Sequence, residues 1–194
     1  MGRARWIRLL CATGGVVALA TTSYQSVVAD DAPPKQPALK VGDKSPGVSG
    51  LSADGNALTS DALAGKTVVV AFWELDAKGG GMPLGPLREV RRVAGKDLLI
   101  LTVCVNGTGR GWDSWSKVLL DQGTVDYGDG ERRFIDDAKW WNVAEVSATR
   151  RASAEACGVT AYPAFFVLNA DGTVGGAHVP PARLKAAVEG VRTR

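Results

Sequence analysis

The chain is poor in the residues that most often carry chemistry. Among 194 residues there are one histidine, three cysteines and two methionines. A lone histidine, His178, with no second His or Cys placed to complete a ligand set, does not point to a metal site. Charge of neither sign dominates, with 23 Lys and Arg against 20 Asp and Glu. No basic tract or stripe is present, so nucleic acid is not an expected partner. Internal repeats are absent, and 45% hydrophobic with 22% charged residues fits a single globular domain.

The chain also lacks a long uninterrupted apolar run. Its longest candidate, Leu9 to Ala20, is broken by Thr13 and Gly14-Gly15, too short to span a bilayer comfortably. Arg3, Arg5 and Arg8 precede that run, no acid occurs before Asp30, and Val27-Val28-Ala29 places small residues before a cleavage point. This is the pattern of a secretory signal peptide over residues 1–29, cleaved after Ala29. An uncleaved anchor is the rival, and only then would the membrane be a partner. Cys11 follows Arg8-Leu9-Leu10 rather than a small-residue lipobox, and it leaves with the signal. The net charge of +3 less three arginines leaves 0. Residues 30–40, with Pro33, Pro34 and Pro37, read as a flexible linker. The domain proper is 41–194, exported to the periplasm or the exterior. An oxidising compartment permits a disulfide between the remaining thiols, Cys104 and Cys157, without requiring one.

What is present is organised around Thr67 to Pro83. The run Val68 to Trp73 is short, β-branched and free of charge, so it reads as a strand buried on both faces. Open α/β sheets place their chemistry in the loops at the carboxyl ends of such strands. This loop holds no Cys, His or Ser. Gly79-Gly80-Gly81 is not a phosphate loop, because Lys and Ser or Thr do not follow at the needed places.

The remaining chain supports one α/β unit. Two short apolar pieces flank the turn signal Ala53-Asp54-Gly55-Asn56, giving an N-terminal hairpin. Ser60 or Asp61 can cap a one-turn helix ending at Gly65. A Pro-started helix follows the Gly loop, with Leu87, Val90 and Val93 or Ala94 buried and Arg88, Glu89, Arg91 and Arg92 on the wet side. Asp97 to Val105 is a second buried strand, and the unit becomes a right-handed parallel crossover if both strands share a sheet. Trp112 to Gln122 reads as a helix, 124–142 carries the turn-like Gly128-Asp129-Gly130, and Val143 to Cys157 reads as a helix stopped by Gly158. Ala164–Leu168 and Thr173–Val179 form a hairpin about Asn169-Ala170-Asp171-Gly172. Pro180-Pro181 starts a last helix whose Leu184, Ala187, Val188 and Val191 share one face.

Several strings, in this order, resemble the redoxin and TlpA-type branch of the thioredoxin-like superfamily. They are VGDKSP at 41–46, LSADGNALTSDALAGKTVVVAFW at 51–73, and GVTAYP at 158–163 followed by AFFVLNADGTV. The resemblance spans about residues 41–191. It implies a thioredoxin-like α/β fold, a central mixed sheet flanked by helices with an N-terminal hairpin extension and an insertion at about 107–147. It also implies a cis bond at Tyr162–Pro163 and thiol–disulfide oxidoreductase or antioxidant work in the cell envelope. In this branch a C-x-x-C motif follows the Trp of the strand, at a helix start whose dipole favours a thiolate. Counted from Trp73, the two cysteine positions hold Ala77 and Gly80, and Glu74 to Leu87 contains no Cys.

The degenerate loop leaves three readings. In the first, the protein is a non-catalytic binding or scaffolding module. Its groove, formed by Trp73, Tyr162 and Pro163, would take an extended peptide or protein where the resemblance places one. In the second, Cys104 is a relocated redox thiol, resolved by Cys157. The ordinary role of a Cys in such a strand is that of a small apolar filler. The third is an aromatic ligand site built from Trp112, Trp115 and Trp140-Trp141, residues whose commoner role is packing. Glu74 and Asp76 follow the strand as loop carboxylates. No cofactor is called for.

Overall fold

The structure is a computed structural model. It describes residues 38–52, 55–75, 81–93, 97–107, 124–126, 131–133, 139–145 and 152–192. The expected signal segment, most of the linker, Ala77, Gly80, Asp76 and the Trp112–Gln122 helix therefore lie outside the described residues.

The two apolar runs form the centre. β3 (Thr67–Trp73) and β4 (Leu98–Cys104) pair in parallel, from Thr67 opposite Leu98 to Trp73 opposite Cys104. Every residue of both strands is buried, as strands flanked on both sides and covered on both faces require. β1 (Gly50–Ser52) and β2 (Ala57–Leu58) make the N-terminal hairpin. β8 (Ala164–Leu168) runs antiparallel to β3, and β9 (Val174–Gly176) pairs with β8. β7 (Trp140–Ala144) lies parallel to β4 and antiparallel to β1. The result is a mixed seven-stranded sheet in the order β2-β1-β7-β4-β3-β8-β9. A separate two-stranded hairpin, β5 (Thr124–Asp126) with β6 (Glu131–Arg133), brackets the Gly128-Asp129-Gly130 turn signal.

Alternation along the strands separates two cores. Val69, Ala71, Trp73, Ile100, Cys104 and Phe165 point to one face, where helix α1 (Leu84–Val93) and the last helix, α3 (Leu184–Arg192), cover them through Leu87, Val90, Leu184 and Val188. Val68, Val70, Phe72, Leu101, Val103 and Phe166 point to the other face. There they meet Leu58, Leu63 and a short helix, α2 (Ala152–Ala156), through Ala154 and Cys157. The outer edge of β9 is closed by the segment before β1. Gly42 N–H donates to Val174 O and Val174 N–H to Asp43 O, each at 2.8 Å, while Ser45 N–H donates to Gly172 O at 3.0 Å. An edge strand is thus paired rather than left open.

Three expectations need correction. Val143 to Cys157 is not one helix: Val143 and Ala144 belong to β7, and among the described residues only Ala152–Ala156 is α-helical there. Pairing on both sides, with β4 and β1, overrides a helix-friendly composition. Arg91 is not on the wet side but buried, because with Leu87 and Val90 it occupies the i, i+3, i+4 stripe. Arg88 is half-buried. The turn at Ser60–Leu63 is a 3-10 helix that starts after Thr59 without a side-chain cap. The last helix is preceded by a 3-10 turn at Pro181–Arg183, and its Leu184 and Val188 are buried as the periodicity predicts.

A buried polar pair ties β4 to β7. Thr102 and Asn142 are register partners, and the Thr102 hydroxyl donates to Asn142 Oδ1 at 2.7 Å. Thr102 is fully buried and Asn142 is 7% exposed. Removing one partner strands the other in an apolar setting, whereas replacing both avoids that penalty. Thr102→Val alone or Asn142→Leu alone should each lower the unfolding free energy by about 1–3 kcal/mol. The double variant should recover most of the loss. Urea unfolding of the four proteins measures the coupling.

Candidate functional site

The three parallel strands end together, and the candidate site is built on those ends. The ladder does not stop at the last strand residues. Val105 N–H donates to Trp73 O, and Glu145 N–H donates to Cys104 O, each at 3.0 Å. One step further the side chain of Asn106 takes over from the backbone. Its Oδ1 accepts the Leu75 N–H at 2.8 Å, and its Nδ2 donates to Leu75 O at 3.0 Å. An amide side chain presents a donor and an acceptor with the spacing of a peptide group. Asn106 therefore acts as one more rung, fastening the start of the loop to the end of β4.

The other end of that loop returns to the same place. Gly81 has φ +112°, and a Cβ there would collide with the Glu74 carbonyl oxygen while lying 3.7 Å from Trp73 Cε3. Only a residue without a side chain fits this neck. Ala77 and Gly80, the positions the resemblance assigns to the missing cysteines, fall between the two fixed ends and outside the described residues.

The Pro163 loop reaches the same end of the sheet. Ala164 pairs with Phe72, so Pro163 follows on at the level of Trp73. The Tyr162–Pro163 bond is cis. Thr160, Ala161 and Pro163 are exposed and Tyr162 is half-buried. Gly158, at φ +69°, lets Ala38 pass close by: a Cβ there would be 2.7 Å from Ala38 Cα. The proposed groove triad is therefore only partly assembled. Tyr162 and Pro163 are at the surface, but Trp73 is completely buried and is a floor beneath the loop, not a groove wall.

The two thiols are both free, buried and far from reactive. Cys104 lies on the α1/α3 face and Cys157 on the α2 face, so the sheet itself separates them. The pairing considered for a relocated redox centre does not form. Burial pushes the Cys104 thiol up to about 12, against the smaller opposing pull of Asn106 and neighbouring backbone, with the Glu74 charge adding to the rise. Its Sγ is 3.4 Å from Asn106 Oδ1, which accepts the S–H. Burial likewise pushes Cys157 up to about 12, with the nearby Glu145 charge adding to it.

Two further residues emerge that sequence reading did not single out, Asn106 and Glu145. Glu145 is 2% exposed at the end of β7. Its Oε1 accepts the Ser153 N–H, and its Oε2 has no hydrogen-bond partner among the described residues. Burial raises its pKa above the ordinary 4.5, the Ser153 hydrogen bonds pull it back, and the Glu155 charge pushes it further up. The signal available in the sequence was a single acid inside the apolar stretch Val143-Ala144-Glu145-Val146. Of the other candidates, His178 is exposed with φ +46°, its ring edge-on to Phe166 at 4.8 Å between centroids. Trp140 is core, and Trp141 is half-buried with Lys66 Nζ 5.8 Å from its ring centroid. Trp112 and Trp115 lie outside the described residues. Among the described residues no group of three His, Cys, Asp or Glu side chains could hold a metal ion, and no helix is long and apolar enough to cross a membrane.

These geometries generate two expectations. With both thiols pushed far above neutral by burial, almost no thiolate is present at pH 7. Both should react with a disulfide reagent slowly in folded protein and fast in denaturant, and Asn106→Ala should accelerate Cys104 selectively. Gly81→Ala should cost about 1–3 kcal/mol, the range for forcing a side chain into such backbone, and should broaden the Leu75 and Asn106 amide resonances while leaving β8 and β9 unchanged.

No protein-family model matches this chain. No curated protein matches it either. Solved structures do. The thioredoxin domain of a thiol-disulfide oxidoreductase from Bacteroides vulgatus superposes with a TM-score of 0.56 at 18% identity, covering 79% of this chain and 98% of its own. The candidate thiol:disulfide interchange protein DsbE from Chlorobium tepidum gives 0.51 at 17%, covering 80% and 98%. A thiol:disulfide interchange protein from a Bacteroides species gives 0.54 at 18%, covering 79% and 91%. At these identities the likeness speaks to architecture, and together with the mixed sheet and its covering helices it establishes that the chain has the thioredoxin fold.

Proposed function

We propose that this protein is an exported binding or scaffolding module that has kept the frame of a thiol–disulfide oxidoreductase and given up its exchange chemistry. The observation that carries the reading is the state of the thiols. Cys104 and Cys157 are buried, held far above neutral pKa, and set on opposite faces of the sheet. A disulfide exchanger needs an accessible thiolate as nucleophile and a second thiol within reach. Neither described thiol meets the first condition, and they do not meet the second together. At the loop itself, Ala77 and Gly80 offer a methyl group and a hydrogen.

What stays usable is the surface beside Pro163. Thr160, Ala161 and Pro163 are exposed, at the end of the sheet where β3 leads into the neck at Leu75 and Gly81. A partner would be an extended peptide or protein segment laid along this loop. Backbone contacts would supply affinity, and Tyr162 would supply side-chain selectivity. Export is supported by the Arg-led apolar N-terminus. The alternative, turnover through Cys104 resolved by Cys157, gains no support from the buried and separated thiols.

The purified protein should neither reduce insulin disulfides nor consume peroxide. A library of extended peptides should yield binders that shift the amide resonances of Leu75 and Ala161 to Ala164, with the effect weakened by Tyr162→Ala. Measurable turnover abolished by Cys104→Ser would overturn the reading, as would peptide binding confined to another face.

A further inference from the structure

Glu145 joins the end of β7 to the start of α2. Its backbone is fixed, because its N–H closes the β7 end of the ladder on Cys104 O at 3.0 Å. Its side chain reaches the second residue of α2, where Oε1 accepts the Ser153 N–H. From there the chain is continuous to the Pro163 surface. Gly158 N–H donates to Glu155 O and Val159 N–H to Ala154 O, each at 2.9 Å, and Thr160 to Pro163 follow directly. One carboxyl oxygen thus links the sheet to the element that leads into the loop.

The other oxygen has nothing to hold. Among the described residues Oε2 has no hydrogen-bond partner, and Glu145 is 2% exposed. The titratable groups near it on α2 and its end are Glu155, a like charge, and Cys157, a thiol. Among the described residues no cation is paired with it. A neutral carboxyl tolerates this site far better than a carboxylate, since an unpaired buried charge must regain water or lose its charge.

We propose that Glu145 is a proton-operated latch: as the neutral acid it holds α2 and the Pro163 loop against the sheet, and on giving its proton to the solvent it draws water in and loosens residues 152–163. The sign follows from burial. The carboxyl is raised above its ordinary value of 4.5, so its contribution to stability is fully present below 4.5 and is lost as pH rises through the raised value. The latch is independent of whether the Pro163 surface holds a partner.

Hydrogen-exchange protection factors of amides 153–162, measured on the whole protein from acid to alkaline pH, test this. In the wild type they should fall by about tenfold for each pK unit by which the carboxyl is raised. In Glu145→Gln, which cannot ionise, they should stay flat. A wild-type profile that is flat, or a Gln variant that falls equally, overturns the proposal. Should the variant not fold, the carboxyl carbon resonance of Glu145 in the wild type decides. It should titrate above the ordinary range, and the Ser153 to Tyr162 amides should follow with the same midpoint. Titration in the ordinary carboxylate range, or an amide response with a different midpoint, overturns it.

Discussion

Asn106 holds Leu75 by both of its backbone polar groups, at 2.8 and 3.0 Å, and much of the candidate site depends on that hold. A parallel β-pair ordinarily ends where the two chains diverge into their loops. Here the pair ends with Trp73 opposite Cys104, continues through Val105 N–H to Trp73 O, and is then extended by a side chain. The loop after β3 consequently leaves from a fixed point and returns at a second one, Gly81, which packs against Glu74 and Trp73. The same amide oxygen takes the Cys104 S–H, so the thiol is retained as a satisfied buried donor beneath the loop.

The fold is held by packing and hydrogen bonds rather than by a cross-link between Cys104 and Cys157. Stability comes from two apolar layers on a sheet whose central strands are buried throughout. Neither layer needs a disulfide, and each holds one cysteine as a small apolar filler. A thiol placed this way contributes packing and is unavailable for attack, because desolvation penalises its ionised form. Glu145 obeys the same physics with a different outcome. Burial favours its neutral form, while the hydrogen bond it accepts from Ser153 favours the charged one.

How much of this was legible in the sequence depended on how local each signal is. The runs Val68–Trp73 and Leu98–Val105 declared buried strands, and the turn residues around Gly55 and Gly172 declared hairpins, because period and turn chemistry are local properties. Leu184, Ala187, Val188 and Val191 declared the face of the last helix for the same reason. β7 was not legible: Trp140 to Ala144 becomes a strand by fitting between β1 and β4, partners far away in the chain. Arg91 carries a charge, the local signal of a wet face, yet shares the buried Leu87–Val90 stripe. Trp73 was placed on a surface that only the sheet's second layer could show to be closed. Asn106 and Glu145 act across separations of 31 and 8 residues, and no spacing rule points to either. The separation of Cys104 from Cys157 likewise follows from alternation only after the register is known.

The central claim is that Cys104 and Cys157 do not form a reversible redox couple. Equilibrating the folded protein against glutathione buffers of graded potential, and counting free thiols by mass after quenching, tests it most directly. The expected result is that Cys104 and Cys157 both stay unmodified at every potential. A two-electron transition with a defined midpoint, in which both thiols disappear together, would contradict it.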